Sequence, residues 1–154
     1  MDLNILWLVP IAYFIHIFEE SPRFPAWAVK IRMISSMSFG EFAIGNIIFM
    51  VYVILATSFA IFYPNVLTLI IGLSTVAWIF SNFLIHAYFT LRTGIYSPGV
   101  VTAGAVYVPV TLYIFSLIWV SGLLSILDII LSIIIGFAIM YIPTLIQEKR
   151  KGKI

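Results

Sequence analysis

The chain has 154 residues, of which 63% are hydrophobic and only 9% charged, with a net charge of +2 and no cysteine. Soluble domains are about 25% charged, and a chain this short cannot hide so much apolar surface inside one globule, so the composition excludes a soluble protein and indicates an integral membrane protein. The lack of cysteine excludes disulfides and thiolate metal sites, and the small positive charge, concentrated towards one end, argues against a nucleic-acid partner.

Five segments predict transmembrane helices, each of which needs roughly 20 mostly apolar residues. The chain begins MDLNILWLVP, in which an acid replaces the basic start of a signal peptide, so we expect the first helix to be retained. Stretches rich in proline, glycine and charge separate the segments. In chain order, the predicted spans cover residues 3–20, 39–62, 66–91, 98–120 and 125–146.

Residues 25–37, between the first and second spans, are too short and too basic to cross a membrane. Trp27, Ile31 and Ile34 share one helical face, and Lys30 and Arg32 flank it. This pattern predicts a short interfacial helix.

Two helix starts carry a capping-box pattern, in which a serine is followed three residues later by an acid. Ser38 and Glu41 predict the start of the second span, and Ser125 and Asp128 predict the start of the fifth. Asp128 lies at the opposite end of the bundle from the other polar residues, so we expect it to be only a cap.

The fold class is therefore all-α: an integral membrane bundle of five transmembrane helices with a short interfacial helix after the first, forming a single domain. If the amino terminus is outside and the carboxyl terminus cytoplasmic, every basic residue falls on the cytoplasmic side, as the positive-inside rule requires. We expect a multi-pass protein of a prokaryotic cytoplasmic or plasma membrane. The basic residues concerned are Arg23, Lys30, Arg32, Arg92, Lys149, Arg150, Lys151 and Lys153.

Polar residues of four predicted spans fall at one membrane level. The first span ends with the stretch YFIHIFEE, which contains His16, Glu19 and Glu20, and the second begins near Glu41. At about 1.5 Å per helical residue, His86 of the third span lies about 9 Å from Arg92, near which that span ends. Ionisable residues inside a membrane usually face the bundle interior, so we expect a cytoplasm-facing cavity lined by the first four spans.

Helical spacing places these residues on common faces. Residues three and four positions apart are neighbours on a helix. The first span therefore presents Tyr13, His16, Glu19 and Glu20 together. The third span presents Asn82, His86 and Thr90 together. Tyr96, Ser97 and Thr102 begin the fourth span at the same level.

The residues His16-x-x-Glu19-Glu20 resemble the signature of the HXXEE-domain family of small membrane proteins. The later stretches NFLIH and YSPG, which contain Asn82, His86 and Tyr96, are similar to the downstream motifs of that family. The resemblance covers residues 13 to 105 and leaves the last helix out. It implies a functionally uncharacterised membrane protein with a suspected active site at the motif.

Two histidines and two or three carboxylates are enough to hold one catalytic metal with an open position, and imidazole with carboxylate suits zinc or non-haem iron. We predict a divalent metal held by His16, Glu20 and His86. Glu19 or Glu41 is then the catalytic base and Asn82 an orienting donor. Tyr13 and Tyr96 support them. Only three acids lie at this level, which favours one metal over two.

Several functions fit such a cluster. We expect an enzyme that acts on a lipid or another lipophilic small molecule in the bilayer, by metal-assisted chemistry or by acid–base chemistry in which a histidine pairs with a glutamate. A small proton-coupled transporter or binding protein needs the same groups, although the chain shows no inverted repeat. An accessory subunit that docks a partner through His16 and Glu19 is the third class.

Overall fold

The structure is a computed structural model that describes residues 1–32 and 36–148. Ile34 of the predicted interfacial face lies outside this range. The basic tail residues Lys149, Arg150, Lys151 and Lys153 also lie outside it.

All the regular structure in the described residues is helical. Five long apolar helices are suitable for crossing a membrane, which supports a multi-pass integral membrane protein. A 3-10 turn at Leu3–Trp7 leads into α1 (Leu8–Glu20), and α2 (Phe24–Arg32) is short. The other long helices are α3 (Phe39–Phe62), α4 (Val66–Thr93), α5 (Val100–Ser121) and α6 (Ile126–Glu148).

The helix bounds follow the prediction to within a few residues, and two of the differences have a physical cause. The predicted interfacial helix reached residue 37, but α2 ends at Arg32, and the backbone of Ser38 is extended because this residue caps α3. The predicted fourth span began at residue 98, but α5 begins at Val100, because Gly99 has a left-handed backbone with φ of 99°.

The two capping boxes are confirmed. The Ser38 hydroxyl accepts from the Glu41 N–H at 3.1 Å, and the Glu41 carboxylate accepts from the Ser38 N–H at 2.8 Å. At the start of α6 the Asp128 carboxylate accepts from the Ser125 N–H at 3.0 Å. These reciprocal bonds satisfy backbone donors that a helix start leaves unpaired.

Helix α4 is the centre of the bundle, and α3 and α6 pack along it on separate faces. Glycines permit the closest approaches. A Cβ at Gly136 of α6 would lie 2.4 Å from the Ser74 carbonyl oxygen and 2.8 Å from the Trp78 nitrogen of α4. A Cβ at Gly72 would lie 2.6 Å from the Ala60 Cβ of α3. Because the hydrophobic effect does not drive helices together inside a membrane, close van der Waals packing at small residues holds them in contact.

We predict that Gly136→Ala lowers stability by about 1–3 kcal/mol, because the added methyl forces α6 away from the α4 backbone. Thermal unfolding in detergent checks this. Gly45→Ala is the matched control, since Gly45 is also in a helix and a Cβ there meets nothing within 4 Å. An equal loss of stability in both variants would contradict the close-approach explanation.

Candidate functional site

One buried carboxylate joins α1 to α4. The Glu20 Oε1 atom lies 3.3 Å from His86 Nε2, and its Oε2 atom lies 3.7 Å from His16 Nε2. All three side chains are buried, and His16 is fully so. One donor atom from each residue lies within 4.8 Å of the others, a spacing suitable for a shared metal ion. The structure thus brings together the three residues predicted as ligands.

The remaining nitrogen of each imidazole contacts a hydroxyl from the α4–α5 region. His16 Nδ1 is 3.0 Å from the Thr102 hydroxyl, and His86 Nδ1 is 2.8 Å from the Ser97 hydroxyl. These contacts orient both rings so that their Nε2 atoms face Glu20. His16 Nε2 is buried and has no hydrogen-bond partner among the described residues.

The turn between α4 and α5 approaches this cluster through Gly99. Its φ of 99° is a conformation that favours glycine. A Cβ there would lie only 2.5 Å from His16 Cε1. Glycine is therefore required at this position both by the turn and by the histidine beside it.

Glu19 faces the start of α5 instead of the cluster. Its carboxylate accepts from the N–H groups of Thr102 at 2.6 Å and Val101 at 3.2 Å, and from the Tyr96 hydroxyl. Burial and this bond to Glu19 raise the pKa of Tyr96 to about 12, so the phenol keeps its proton and donates it. A carboxylate at a helix N-terminus is stabilised by the unpaired N–H groups and the helix dipole. Glu19 thereby fixes the position of Thr102.

Helix α5 carries an irregularity directly behind His16. Residues Ala103–Tyr107 form a π-helical turn, and such turns are frequent at functional sites. The ring of Tyr107 is fully buried, 4.7 Å from the His16 ring between centroids. Its hydroxyl has no hydrogen-bond partner in the described structure.

A cavity of about 500 Å³ adjoins the cluster. Tyr13, Glu20, Glu41, Asn82 and His86 all line it. The cavity was predicted to lie among the first four spans, and this was wrong in one respect, because no residue of α5 lines it. Its other lining residues come from α2, α3, α4 and α6 and from Met37, which precedes α3, whereas α5 lies behind the cluster. The α5 residues pack on His16 through Thr102 and Tyr107, and so they support the histidine from the far side.

Tyr13, Glu41 and Asn82, which line the cavity, differ in the hydrogen bonds that hold their side chains. The Tyr13 hydroxyl donates to Asn46 Oδ1 at 2.7 Å. Glu41 combines its capping bonds with a place in the cavity wall. Asn82 is mostly buried and makes no hydrogen bond to the described residues, so its amide is available to a ligand.

The eight predicted site residues thus occupy three neighbouring places. Glu20 and His86 belong to both the cluster and the cavity wall, with His16 behind them. Glu19 and Tyr96 lie at the start of α5. The other three line the cavity, namely Tyr13, Glu41 and Asn82. Several residues that contact the histidines were not among the predicted site residues, including Ser97, Gly99, Thr102 and Tyr107. The YSPG stretch and the polar residues after it were the available signal for three of them, and nothing local indicated Tyr107.

Over residues 7–114 the chain matches the family described as a protein of unknown function with an HXXEE motif. The chain therefore belongs to the HXXEE family. The matched segment contains the His/Glu cluster and ends before α6. No curated protein and no solved structure matches the chain.

We predict that Gly99→Ala destabilises the protein more than Gly94→Ala. Both glycines have positive φ, which costs another residue about 1–2 kcal/mol. Only at Gly99 does the new methyl also meet the His16 ring, whereas a Cβ at Gly94 meets nothing within 4 Å. Detergent melting curves of the two variants measure the difference, and equal losses would show that the turn does not constrain His16.

Proposed function

We propose that this member of the HXXEE family is an intramembrane enzyme in which His16, Glu20 and His86 hold one divalent metal ion beside a membrane-soluble substrate. The observation that carries the proposal is the orientation of the two imidazoles. Hydroxyls hold both Nδ1 atoms, and both Nε2 atoms face the same buried carboxylate. Hydrogen bonds to the far nitrogen are what usually orient histidines that bind metals.

The distances fit such an ion. Zinc bonds to nitrogen and oxygen are about 2.0–2.2 Å long, so donors on a tetrahedral ion lie about 3.3–3.6 Å apart. The two carboxylate–imidazole separations of 3.7 and 3.3 Å are close to this distance. The widest separation is at most 4.8 Å, so that pair closes by up to about 1.4 Å when it shares an ion. The unpartnered Nε2 of His16 would gain a bond.

The types of donor atom limit which metal ions suit the site. Two imidazoles and one carboxylate suit zinc, and they also suit ferrous iron. A metal bound there supplies Lewis acidity or an activated water for an attack on an ester, phosphoryl or carbonyl group. The three protein ligands leave a position open, and Glu20 and His86 border the cavity from which a substrate would approach.

The remaining residues have separate roles in this proposal. Glu41 is favoured over Glu19 as the base, because Glu41 lines the cavity while both Glu19 oxygens bind the start of α5. Asn82 lines the same wall and orients the substrate. Tyr13 supports the cavity floor, and Tyr96 supports Glu19 as a positioning residue.

The side of the membrane follows from charge. Arg23 follows the end of α1 and Arg92 lies at the end of α4, the two helices that carry the cluster, while Lys30 and Arg32 belong to α2 directly after α1. Loops rich in Lys and Arg remain in the cytoplasm. We therefore assign the site to the cytoplasmic half of the membrane.

A second candidate uses the same three residues without a metal. Glu20 contacts both imidazoles, so a proton on one histidine has an acceptor within reach, as an acid–base couple or a proton relay requires. The two candidates differ in whether purified protein retains a metal.

We predict near-stoichiometric zinc or iron in protein purified in detergent without chelator, measured by elemental mass spectrometry. His16→Ala and His86→Ala should each lose the metal, because each removes one of three ligands. Asp128→Asn should retain the metal, since Asp128 only caps the start of α6, at the end of the bundle opposite the cluster. Well-folded wild type with no metal would overturn the metal proposal and favour the acid–base candidate.

We also predict that Ser97→Ala weakens metal affinity by about 10–100-fold, the effect usual for losing a residue that orients a metal-binding histidine. Competition with a chelator of known affinity measures this. Ser97→Thr keeps the hydroxyl and should restore most of the affinity. Ser116→Ala is the control, because the Ser116 hydroxyl bonds only the Tyr113 carbonyl on the exposed part of α5. Equal affinities in Ser97→Ala and wild type would exclude the orienting role.

A further inference from the structure

The wall of the cavity is incomplete on one side. Helices α3 and α6 both pack on α4, but they make almost no contact with each other in the part of the chain that the structure describes. The cavity extends between them. Four isoleucines frame the opening: Ile44 and Ile48 on α3, and Ile142 and Ile146 on α6.

These isoleucines lie on the outer surface of the bundle. Ile44 is 61% exposed, Ile48 63%, Ile142 51% and Ile146 53%. The neighbouring outward residues of both helices are also apolar, so this surface faces lipid. The opening is therefore lateral, towards the acyl chains.

The polar lining is at the inner end of the cavity. Glu20, Asn82 and His86 are all buried there. The Asn82 amide also borders the cavity and makes no hydrogen bond to the described residues. Its N–H groups can therefore donate to a ligand, which favours a head that carries acceptor oxygens.

The depth of the opening in the membrane is consistent with a ligand that has a polar head and an apolar chain. At about 1.5 Å per residue, Ile48 lies about 14 Å from the start of α3, and Ile142 about 9 Å from the end of α6. The opening therefore runs from the membrane interface down into the hydrocarbon. A cavity of about 500 Å³ is within the usual range for a small ligand of about 300–1,000 Å³.

We propose that the cavity admits a single-chain amphiphile laterally, through the opening between α3 and α6, with its carboxylate, ester or phosphoryl head beside Glu20, His86 and Asn82. The acyl chain passes between the four isoleucines and continues into the bilayer. This inference rests on the proposed function for what happens to the head, but the binding itself needs no metal.

Photoaffinity labelling tests the route. The probe is palmitic acid with a diazirine in its chain, applied to the protein in lipid nanodiscs and followed by peptide mapping. We expect labels on inner cavity residues such as Phe49, Trp78 and Met140. Labels confined to outward residues would overturn the proposal.

Variants at the opening give the sharper comparison. Ile48→Trp and Ile146→Trp should block the passage and reduce inner labelling by about tenfold, equivalent to about 1.4 kcal/mol of binding free energy. Ile47→Trp is the control on α3, because Ile47 is 61% exposed but does not line the cavity. Leu145→Trp is the corresponding control on α6. Equal labelling in blocked and control variants would reject the lateral route.

Labelling combined with metal analysis distinguishes failure of this inference from failure of the metal proposal. Labelling that persists in His16→Ala, at a proposed metal ligand that does not line the cavity, while wild type binds no metal, supports the route and rejects the metal. Metal binding without inner labelling retains the metal centre and rejects the route. A diazirine cholesterol that labels the inner residues as strongly as the palmitate would overturn the restriction to a single chain.

Discussion

The position of Glu20 between two imidazoles is the contact on which the site depends. A carboxylate at this level of a membrane is costly unless it is paired. Its partners come from its own helix and from α4, so the pairing fixes α1 against the centre of the bundle. The hydroxyls of Ser97 and Thr102 then fix the imidazoles in turn. Three segments of the chain must therefore be correctly placed before any one of these polar groups is satisfied.

The two adjacent glutamates of the motif illustrate how neighbours in sequence can have different tasks. Glu20 points into the bundle and meets the histidines, whereas Glu19 reaches over the start of α5 and accepts its free N–H groups. That contact sets where α5 begins, and so it sets where Thr102 stands beside His16. Glu19 therefore acts on the cluster through the backbone of another helix.

Much of the fold was predictable because its determinants are local. Apolar length determined the five spans, and the pairs Ser38–Glu41 and Ser125–Asp128 determined two helix starts, since a capping box needs only four residues. The joint presence of His16, Glu20 and His86 was also predictable, because depth and helical face place them together before any packing is known.

The remainder depends on packing between distant segments. The spacing of residues in the sequence does not predict that Glu19 caps α5, whose first turn lies about 82 residues later. It also does not predict the π-helical turn of α5 behind His16. The prediction that α5 would line the cavity failed for the same reason. Helical periodicity gives the polar face of a helix but not the angle at which that helix crosses its neighbours. Here Gly136 lets α6 lie close against α4, and residues of α6 line the cavity where residues of α5 were expected.

The depth of the cluster bears on which substrates can use it. His86 lies seven residues before the end of α4, or about 10 Å inside that end, so a water-soluble substrate would have to lose its hydration to reach it. An amphiphile already holds its head at the interface and its chain in the hydrocarbon, and the same two environments meet in this cavity. The proposed reacting centre lies within the segment shared with the HXXEE family, whereas the proposed chain passage is bordered partly by α6, which lies outside that segment. On this proposal chemistry and chain selection belong to different parts of the sequence, so that changes in α6 alter the length or shape of the bound chain without disturbing Glu20 and its histidines.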